Sequence, residues 1–306
     1  MTPVNNPRSS LKDHGLTAKK RFGQNFLVHQ RTAEAIVASG KVSPEDTIIE
    51  VGVGLGAMTL PLAQKAKQVI GLEIDSGIIR YHEQEGVLPE NVTLIHQDVL
   101  KSDLQTLSVE TGGRLKIMAN LPYSISNPFL FKLIENLPWV DRATIMVQKE
   151  VADRWMASPG CKAYGIPSVL IQTCARISRL MTLKPAEFHP RPKIDSVVIL
   201  IDFNHDTPLD YNRATLHLVV RAAFSQRRKT LLNTLSAARL FSTSVSADKQ
   251  INKELTIRAL KLANLNPRDR AETLTLNDFI RLAQSVDKVT SDQSPATLAS
   301  KAQQQI

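Results

Sequence analysis

The stretch IIEVGVGLGAMTL, residues 48–60, decides the fold, because it joins an apolar run to a helical segment through the glycines Gly52, Gly54 and Gly56. Glycines at such a junction let the backbone turn tightly and let a ligand approach the start of the helix. Glu73 ends the next apolar run, 21 residues after Gly52. A carboxylate at that place can accept hydrogen bonds from both hydroxyls of a ribose, so the two features together predict a ligand that contains a nucleoside.

Outward from this stretch, short apolar runs alternate with helical segments. The runs are TIIEVG, QVIGLEID, VTLIHQD, LKIMANLPY and ATIMVQKE. Such alternation is typical of an α/β fold with a parallel sheet covered by helices. Two later runs, RLMTLKPAEF and IDSVVILIDF, have little helix between them. They predict an antiparallel pair that closes the sheet.

The pattern changes after about residue 204, where four helical segments follow one another. We therefore predict a large α/β domain over residues 17–204 and a small all-α domain over residues 205–286. Residues 1–16 are polar and rich in proline, and residues 287–306 are dominated by Ser, Thr, Gln and Lys. We expect both end segments to be disordered.

The positive charge is concentrated rather than spread along the chain. The formal net charge is +9, and residues 210–285 hold 13 Lys or Arg against 6 Asp or Glu. A second basic cluster, AKKRFGQNF, lies near the N-terminus. Basic faces of this kind attract phosphate backbones, although charge alone is equally compatible with a solvated surface.

Several features of the sequence predict a protein of a reducing compartment that has neither a membrane-spanning helix nor a metal site. No apolar run reaches the roughly 18 residues that a membrane-spanning helix needs, and MTPVNNPRSSLKDHG lacks the apolar segment of a secretory signal. The cysteines Cys161 and Cys174 match neither a metal-ligand spacing nor a disulfide framework. We expect a cytoplasmic protein that uses no metal and is a monomer.

The glycine spacing and the strand ends narrow the choice of ligand. The spacing is G-x-G-x-G rather than the G-x-G-x-x-G of dinucleotide sites, which disfavours an NAD-dependent oxidoreductase. Asp98 and Asn120 end the third and fourth apolar runs, and the carboxyl ends of parallel strands line the ligand crevice. Asp98 can accept a hydrogen bond from an adenine amine, although a turn or helix cap is its alternative role. Carboxylates without a phosphate-binding lysine favour a cationic nucleoside such as S-adenosylmethionine.

The segment MANLPYSISNPFLF, residues 118–131, places an amide, a proline and an aromatic ring at the end of a strand. The lone pair of an adenine N6 amine is delocalised into the ring, so the amine is a poor nucleophile. Two acceptors aimed at its N–H groups, the Asn120 side-chain oxygen and the Leu121 carbonyl, can draw the lone pair out of conjugation. Pro122 fixes the turn, and Tyr123 offers a ring on which a flipped base can stack, worth roughly 1–3 kcal/mol. Taken alone, such an Asn is more often a turn residue and such a Tyr a core residue.

These motifs carry a family resemblance. VGVGLG, LEID, QDVL and NLPY are similar to class I methyltransferases that act on an exocyclic base amine. KKRFGQNFL, QKEVADR, KAYG, FHPRPKIDS and RAAFSQRRKTLLNTL together resemble the ribosomal RNA adenine dimethyltransferases of the KsgA (RsmA) type, from about Lys19 to Ser285. The resemblance implies a Rossmann-like domain that binds S-adenosylmethionine and a helical domain that binds rRNA.

The resemblance also implies roles for individual residues. The residues that it places around the adenine are Asn120, Leu121, Pro122, Tyr123 and a second stacking ring, Phe188. Those that it places around the cofactor are Asn25, Leu27, Gly52, Gly54, Glu73, Asp98 and Asn120. The basic residues expected to meet rRNA phosphates are Lys19, Lys20, Arg21, Arg221, Arg227, Arg228 and Lys229. The run from Arg227 to Lys229 is expected to open a helix, where a solvated helix face is the alternative.

Members of this type dimethylate two adjacent adenosines in the 3′-terminal hairpin of small-subunit (16S) rRNA, late in assembly of the 30S subunit. The resemblance implies the same reaction and partner here. Two alternatives stay open at this point. One is adenine methylation of large-subunit rRNA, as in antibiotic-resistance methyltransferases, and the other is a non-catalytic RNA-binding assembly factor.

Overall fold

The structure is a computed structural model that describes residues 14, 16–19, 22–86, 88–203, 210–238, 240–241 and 249–292. The strands are β1 (Phe26–Leu27), β2 (Thr47–Val51), β3 (Gln68–Glu73), β4 (Val92–His96), β5 (Leu115–Asn120), β6 (Val140–Gln148), β7 (Ala175–Leu183), β8 (Phe188–His189) and β9 (Ser196–Phe203). The α-helices are α1 (Gln30–Ser39), α2 (Thr59–Lys65), α3 (Ser76–Glu85), α4 (Leu104–Glu110), α5 (Ser126–Glu135), α6 (Lys149–Trp155), α7 (Ile166–Gln172), α8 (Arg213–Ala223), α9 (Leu231–Ala237), α10 (Lys249–Leu262) and α11 (Leu276–Ser291).

The main sheet has seven strands in the order β4-β3-β2-β5-β6-β9-β7. Strands β2 to β6 are parallel to one another, whereas β9 pairs antiparallel with both β6 and β7. The predictions of a parallel sheet and of an antiparallel closing pair are therefore confirmed. The chain order reverses between β2 and β5, and at such a switch point the carboxyl ends of the strands open a ligand crevice.

The helices begin and end where the sequence supplies suitable residues. Helix α3 starts after Asp75, whose side chain accepts the backbone N–H of Gly77, and stops at Gly86 in the left-handed conformation. Helix α2 accommodates Pro61 in its first turn. Strand β2 is buried at Ile48, Ile49 and Val51, as expected for a central parallel strand that is covered on both faces.

The chain divides into two compact units, and the division differs from the predicted domains. The first unit covers Met1–Asp153 and Cys174–His205, and the second covers Arg154–Thr173 and Asp206–Ile306. The sequence analysis placed residues 154–173 in the α/β domain. The structure instead groups them with the helices that follow residue 206, because their side chains pack there.

The second unit is all-helical around an aromatic core, in line with the prediction of a helical segment. The rings of Phe224 and Phe279 stack with their centroids 5.8 Å apart, and Tyr164 meets Phe224 edge-on at 6.0 Å. The Tyr164 hydroxyl donates a hydrogen bond to the carbonyl of Leu274 at 3.0 Å. Tyr164 belongs to the segment 154–173, so this contact fixes that segment to the rest of the unit.

Two predictions about the end segments and the basic run need correction, and a third concerns residues that mostly lie outside the described part of the chain. Helix α11 runs to Ser291, and Thr215 donates to the Asp287 carboxylate at 2.5 Å, so the prediction of a disordered tail from residue 287 is wrong for its first residues. The run Arg227 to Lys229 forms turns ahead of α9 rather than opening the helix. The predicted disorder of the N-terminal segment and of residues 293–306 falls almost wholly outside the described residues.

In the part of the chain that the structure describes, every helix is too short or too polar to cross a bilayer. Within the same residues, no three His, Cys, Asp or Glu side chains come together as a potential metal-binding group.

Candidate active site

A cavity of about 320 Å³ opens at the carboxyl ends of the parallel strands in the first unit. Its walls are the glycine turn after β2, the ends of β3 and β5, the segment after β4, and residues 22–27. All seven residues that were predicted to bind the cofactor line it: Asn25, Leu27, Gly52, Gly54, Glu73, Asp98 and Asn120. The structure thus brings together side chains that lie up to 95 positions apart in the chain.

The glycine turn is tight for a steric reason. Gly52 has a φ of +79°, and a Cβ at this position would lie 3.3 Å from the backbone oxygen of Asn120. Only glycine adopts such a φ readily and also permits so close an approach. The turn therefore brings the end of β2 against the end of β5, which is where the predicted cofactor and base sites meet.

Glu73 both supports this turn and faces the cavity. Its carboxylate accepts the backbone N–H of Gly54 at 3.0 Å and that of Asp75 at 2.8 Å. Burial raises the pKa of Glu73, while these two backbone hydrogen bonds oppose the rise. A buried carboxylate with oxygen lone pairs directed into a cavity is suited to accepting ribose hydroxyls, as the sequence predicted.

Asp98 takes the turn role that was its alternative and also lines the cavity. One carboxylate oxygen accepts the backbone N–H of Leu100 at 2.9 Å, which leaves the second oxygen for a ligand amine. The loop is fixed from outside by Lys132, which donates to the carbonyls of Leu100 at 3.2 Å and Ser102 at 2.6 Å. Sequence analysis missed Lys132 because it lies on α5, 32 residues away from Leu100.

The Asn120 amide has a defined orientation. Its Nδ2 atom donates to the backbone carbonyl of Asn25 at 3.1 Å. Because a carbonyl can only accept, the amide nitrogen must face Asn25, and the amide oxygen is left as an acceptor. Leu121 is buried and Pro122 has an extended ψ of 133°, so the NLPY turn projects from β5 into the cavity wall. This arrangement supplies the acceptor that the chemistry of an adenine amine requires.

The two predicted stacking rings do not line the cavity. Tyr123 is half-buried, and its hydroxyl is 2.9 Å from the Ser196 hydroxyl. Phe188 is only 2% exposed and belongs to the apolar core with Leu27 and Met146. The stacking role of Phe188 stays a prediction, and it requires the residues that cover the ring to move aside.

Glu50 is a cavity residue that the sequence analysis did not identify. It lies within β2 and is completely buried, and neither carboxylate oxygen has a hydrogen-bond partner among the described residues. Burial raises the pKa of Glu50 to about 8, with a smaller rise from the charge of Glu73, and the nearby Thr59 hydroxyl opposes both. The only indication in the sequence was a carboxylate within an otherwise apolar strand, and it belongs to none of the motifs described above.

His82 is a second residue that was missed. Its Nε2 atom lies 2.8 Å from the carbonyl oxygen of Gly54, so Nε2 carries the proton and donates to the glycine turn. Burial lowers the pKa of His82, whereas the hydrogen bond to Gly54 opposes this, and the ring stays neutral at physiological pH. His82 therefore holds the turn as a neutral donor from α3.

The predicted RNA-binding residues fall into three groups. In the second unit, Arg221, Arg227, Arg228 and Lys229 are all exposed, and Arg227 pairs with Glu272 at 2.7 Å. Lys20 and Arg21 lie outside the described residues. Lys19 lies in the first unit, where its ammonium is 2.5 Å from the buried Asp75 carboxylate.

Comparison with known proteins agrees with this geometry. The family model described as ribosomal RNA adenine dimethylase matches residues 15–277. A protein of Desulfotalea psychrophila named ribosomal RNA small subunit methyltransferase A is 56% identical over 283 residues, covering 92% of this chain and 96% of that protein. A protein of the same name from Desulforapulum autotrophicum is 38% identical, with the same coverage.

Two solved structures share the fold. A dimethyladenosine transferase of Plasmodium falciparum has a TM-score of 0.71 at 24% identity, covering 86% of this chain and 98% of that one. The 23S rRNA methyltransferase ErmE has a TM-score of 0.61 at 19% identity, covering 86% of this chain and 99% of that one. At these identities the two structures show the fold alone. The family model and the relative at 56% identity decide the assignment: the chain belongs to the ribosomal RNA adenine dimethylase family.

Proposed function

We propose that this enzyme transfers methyl groups from S-adenosylmethionine to the N6 amines of two adjacent adenosines in the 3′-terminal hairpin of small-subunit (16S) rRNA. The partner is a 30S precursor late in its assembly, the compartment is the cytoplasm, and the enzyme acts as a monomer. The name shared by its relatives, ribosomal RNA small subunit methyltransferase A, supports the small subunit over the large one.

The observation that carries this proposal is the fixed Asn120 amide at the edge of a cavity lined by acidic residues. Asn25 holds the amide nitrogen, so the oxygen is oriented before any substrate arrives. Glu73 and Asp98 lie in the wall of the same cavity, at the ends of the neighbouring strands. A non-catalytic assembly factor would have no need for an acceptor oriented in this way next to a nucleoside pocket.

The residues present fit S-adenosylmethionine. Glu73 would hold the ribose hydroxyls and Asp98 the adenine amine, while the cavity segment from Phe22 to Leu27 would cover the ligand. The buried Glu50 carboxyl has no partner among the described residues, so a ligand that hydrogen-bonds to it or brings positive charge near it would relieve the cost of its burial. When bound, S-adenosylmethionine supplies a methyl group that its sulfonium already activates, so the protein needs no metal ion for this purpose.

The protein's own contribution is to align and polarise the target amine. Hydrogen bonds from the amine to the Asn120 oxygen and the Leu121 carbonyl favour the pyramidal nitrogen that attacks the methyl carbon. Fixing two reactants in such an alignment accounts for about 7–11 kcal/mol of barrier reduction in favourable cases. The acceptor oxygens also stabilise the positive charge that develops on nitrogen. A general base is not required before the attack, because the lone pair rather than a deprotonated amine is the nucleophile.

Methyl transfer to unmodified small subunits tests the proposal. Labelled S-adenosylmethionine, purified 30S particles and the full chain should give two modified adjacent adenosines, with none in 50S particles under the same conditions. Asn120→Ala should lose at least about 100-fold in kcat, the scale of losing one oriented polar group in a catalytic site.

Asn136→Ala is a matched control. It removes an amide that donates to the backbone carbonyl of Lys132 at 2.9 Å, outside the cavity. It should methylate like the parent. Modification of 50S particles instead of 30S would overturn the substrate assignment, and an Asn120→Ala variant with the parent's kcat would remove Asn120 from the reaction.

A further inference from the structure

One wall of the cavity is formed by residues that precede the main sheet. We call residues 16–19 and 22–27 the strap, and its members Phe22 to Leu27 all line the cavity. The strap is fixed to the NLPY turn at two points. The carbonyl of Asn25 accepts from Asn120, and a Cβ on Gly23 would lie 3.3 Å from the Cβ of Pro122. The strap therefore reaches the side of the cavity where the base is proposed to bind.

The other side of the strap is fixed to Asp75, at the start of α3. One Asp75 carboxylate oxygen accepts from the Lys19 ammonium at 2.5 Å, and the other accepts from the Gln24 amide at 2.9 Å. The Gln24 oxygen in turn accepts the backbone N–H of Lys19 at 2.8 Å. Three side chains thus form a closed set of hydrogen bonds between the strap and α3.

The set is built around a charge that is largely removed from water. Asp75 is 3% exposed, whereas the Lys19 side chain is 32% exposed. Burial raises the pKa of Asp75, but the hydrogen bonds from Lys19, Gly77 and Gln24 outweigh it and hold the pKa below its usual value. Asp75 is therefore ionised at neutral pH, and its bonds to the strap are charge-assisted.

The same residue is connected directly to the cavity. The backbone N–H of Asp75 donates to Glu73 at 2.8 Å, and Glu73 also accepts from Gly54. Asp75 therefore contacts the strap through its side chain and, through its backbone, the carboxylate that is proposed to hold the ribose. Apolar contacts among Leu16, Ala18, Phe26 and Ile78 accompany the polar ones, so the strap is seated on α3 along its length.

We propose that Lys19, Gln24 and Asp75 form a latch that holds the strap closed over the cofactor, and that they are positioning residues for cofactor binding. This inference rests on the proposed function, since it takes the cavity to be the cofactor site. It replaces the RNA-binding role predicted for Lys19 with an internal one, because the Lys19 charge is already paired with a buried carboxylate. The latch slows the release of the cofactor while the enzyme meets its large substrate.

The substitutions must separate the latch from the helix cap that Asp75 also provides. Asp75 accepts the N–H of Gly77 at the start of α3, and asparagine caps helices about as well as aspartate. Asp75→Asn therefore keeps the cap and removes the charge. Lys19→Met removes the ammonium and keeps an unbranched apolar side chain at this position.

A matched control is available in the same unit. Lys184 pairs with Asp195 at 2.8 Å, and neither residue lines the cavity. Lys184→Met deletes a more exposed lysine–aspartate pair by the same substitution and should leave cofactor affinity within about twofold of the parent, because exposed pairs contribute little and this one lies away from the cavity.

The test is calorimetric titration of the full chain with S-adenosylhomocysteine in the absence of RNA. We expect the Kd to rise roughly three- to tenfold in Lys19→Met and in Asp75→Asn. The double variant should be no weaker than the weaker single variant, because both changes break the same contact. Amide hydrogen exchange over residues 22–27 should speed up in all three variants and stay unchanged in Lys184→Met.

The outcomes that overturn the inference are distinct from those that overturn the proposed function. A parent chain that binds no S-adenosylhomocysteine would overturn both. A parent that binds, with Lys19→Met binding equally well, would overturn the latch alone. If Lys19→Met lost affinity only for rRNA, Lys19 would be a phosphate contact after all. Additive effects in the double variant would show that the two residues act separately, which also contradicts a latch.

Discussion

Replacing Glu50 with glutamine should change how the stability of the cofactor-free protein depends on pH. Glu50 is completely buried, and burial raises its pKa from the usual 4.5 to about 8. The folded protein therefore keeps the Glu50 proton at a pH where the unfolded chain has released it. A group with a raised folded-state pKa contributes stability that is fully present below pH 4.5 and is lost as the pH rises toward 8. Glutamine has the same shape as the protonated acid and does not titrate.

The magnitude follows from the two pKa values. One pH unit between them corresponds to about 1.4 kcal/mol in the free energy of unfolding. Between pH 5 and pH 7 the parent should lose roughly 2–3 kcal/mol relative to Glu50→Gln. The two proteins should differ little at pH 5, and the variant should be the more stable one at pH 7.

Urea unfolding at a series of pH values between 5 and 8, without cofactor, measures this difference. Subtracting the two curves removes every other titrating group, because all of those are common to both proteins. Glu135→Gln, at an exposed position on α5, should follow the parent at every pH. A Glu50→Gln difference that stays constant from pH 5 to pH 8 would refute the argument, since it would mean that Glu50 is ionised in the folded protein.

Four further substitutions test the cavity and the basic residues of the second unit. Gly52→Ala should lower cofactor affinity by about tenfold or more in calorimetry. The new Cβ would contact the Asn120 carbonyl, and residue 52 has a positive φ that alanine adopts poorly. An affinity equal to that of the parent protein would show that the turn tolerates a side chain. Lys132→Met should weaken cofactor binding several-fold, because it removes the hydrogen bonds that hold the Leu100 and Ser102 carbonyls in the loop after Asp98. Unchanged binding would show that this loop does not contribute to cofactor affinity. Arg228→Ala and Lys229→Ala should each weaken rRNA binding without changing the Kd for the cofactor. Each should also reduce the slope of log K for rRNA binding against log salt concentration by about 1. A slope equal to that of the parent protein would mean that the residue contacts no phosphate.

Much of the fold could be predicted from the sequence because it depends on local patterns. Apolar runs of five to nine residues predicted the parallel strands. The places of Gly52, Gly54, Glu73, Asp98 and Asn120 in the cavity wall were predictable for a related reason: each stands at the end of a parallel strand or in the turn after it, and these ends meet at one edge of the sheet. Asn25 and Leu27, which precede the sheet, were predicted from the family resemblance alone. The exposure of Arg228 and Lys229 follows from charge alone.

What the sequence could not supply are facts that depend on contacts between distant segments. The ion pair between Lys19 and Asp75, 56 residues away, is one such fact. The burial of the Phe188 ring in the apolar core is a second such fact, and the stacking role of Phe188 stays a prediction. Glu50 looks like one polar residue in a strand, and only its complete burial shows that it titrates abnormally. In each case the deciding quantity is burial or a long-range partner, which a local pattern does not contain.

The membership of residues 154–173 in the helical unit has a practical consequence for anyone who wants to divide or recombine this enzyme. A fragment that stops at residue 205 would keep Tyr164 and α7 but lose Phe224 and the Leu274 carbonyl that Tyr164 contacts. Such a fragment would expose apolar surface that is buried in the whole chain, and we expect it to aggregate. A chimaera that exchanges the helical unit with that of a relative must therefore transplant two separate pieces of chain, the short inner piece together with the C-terminal one.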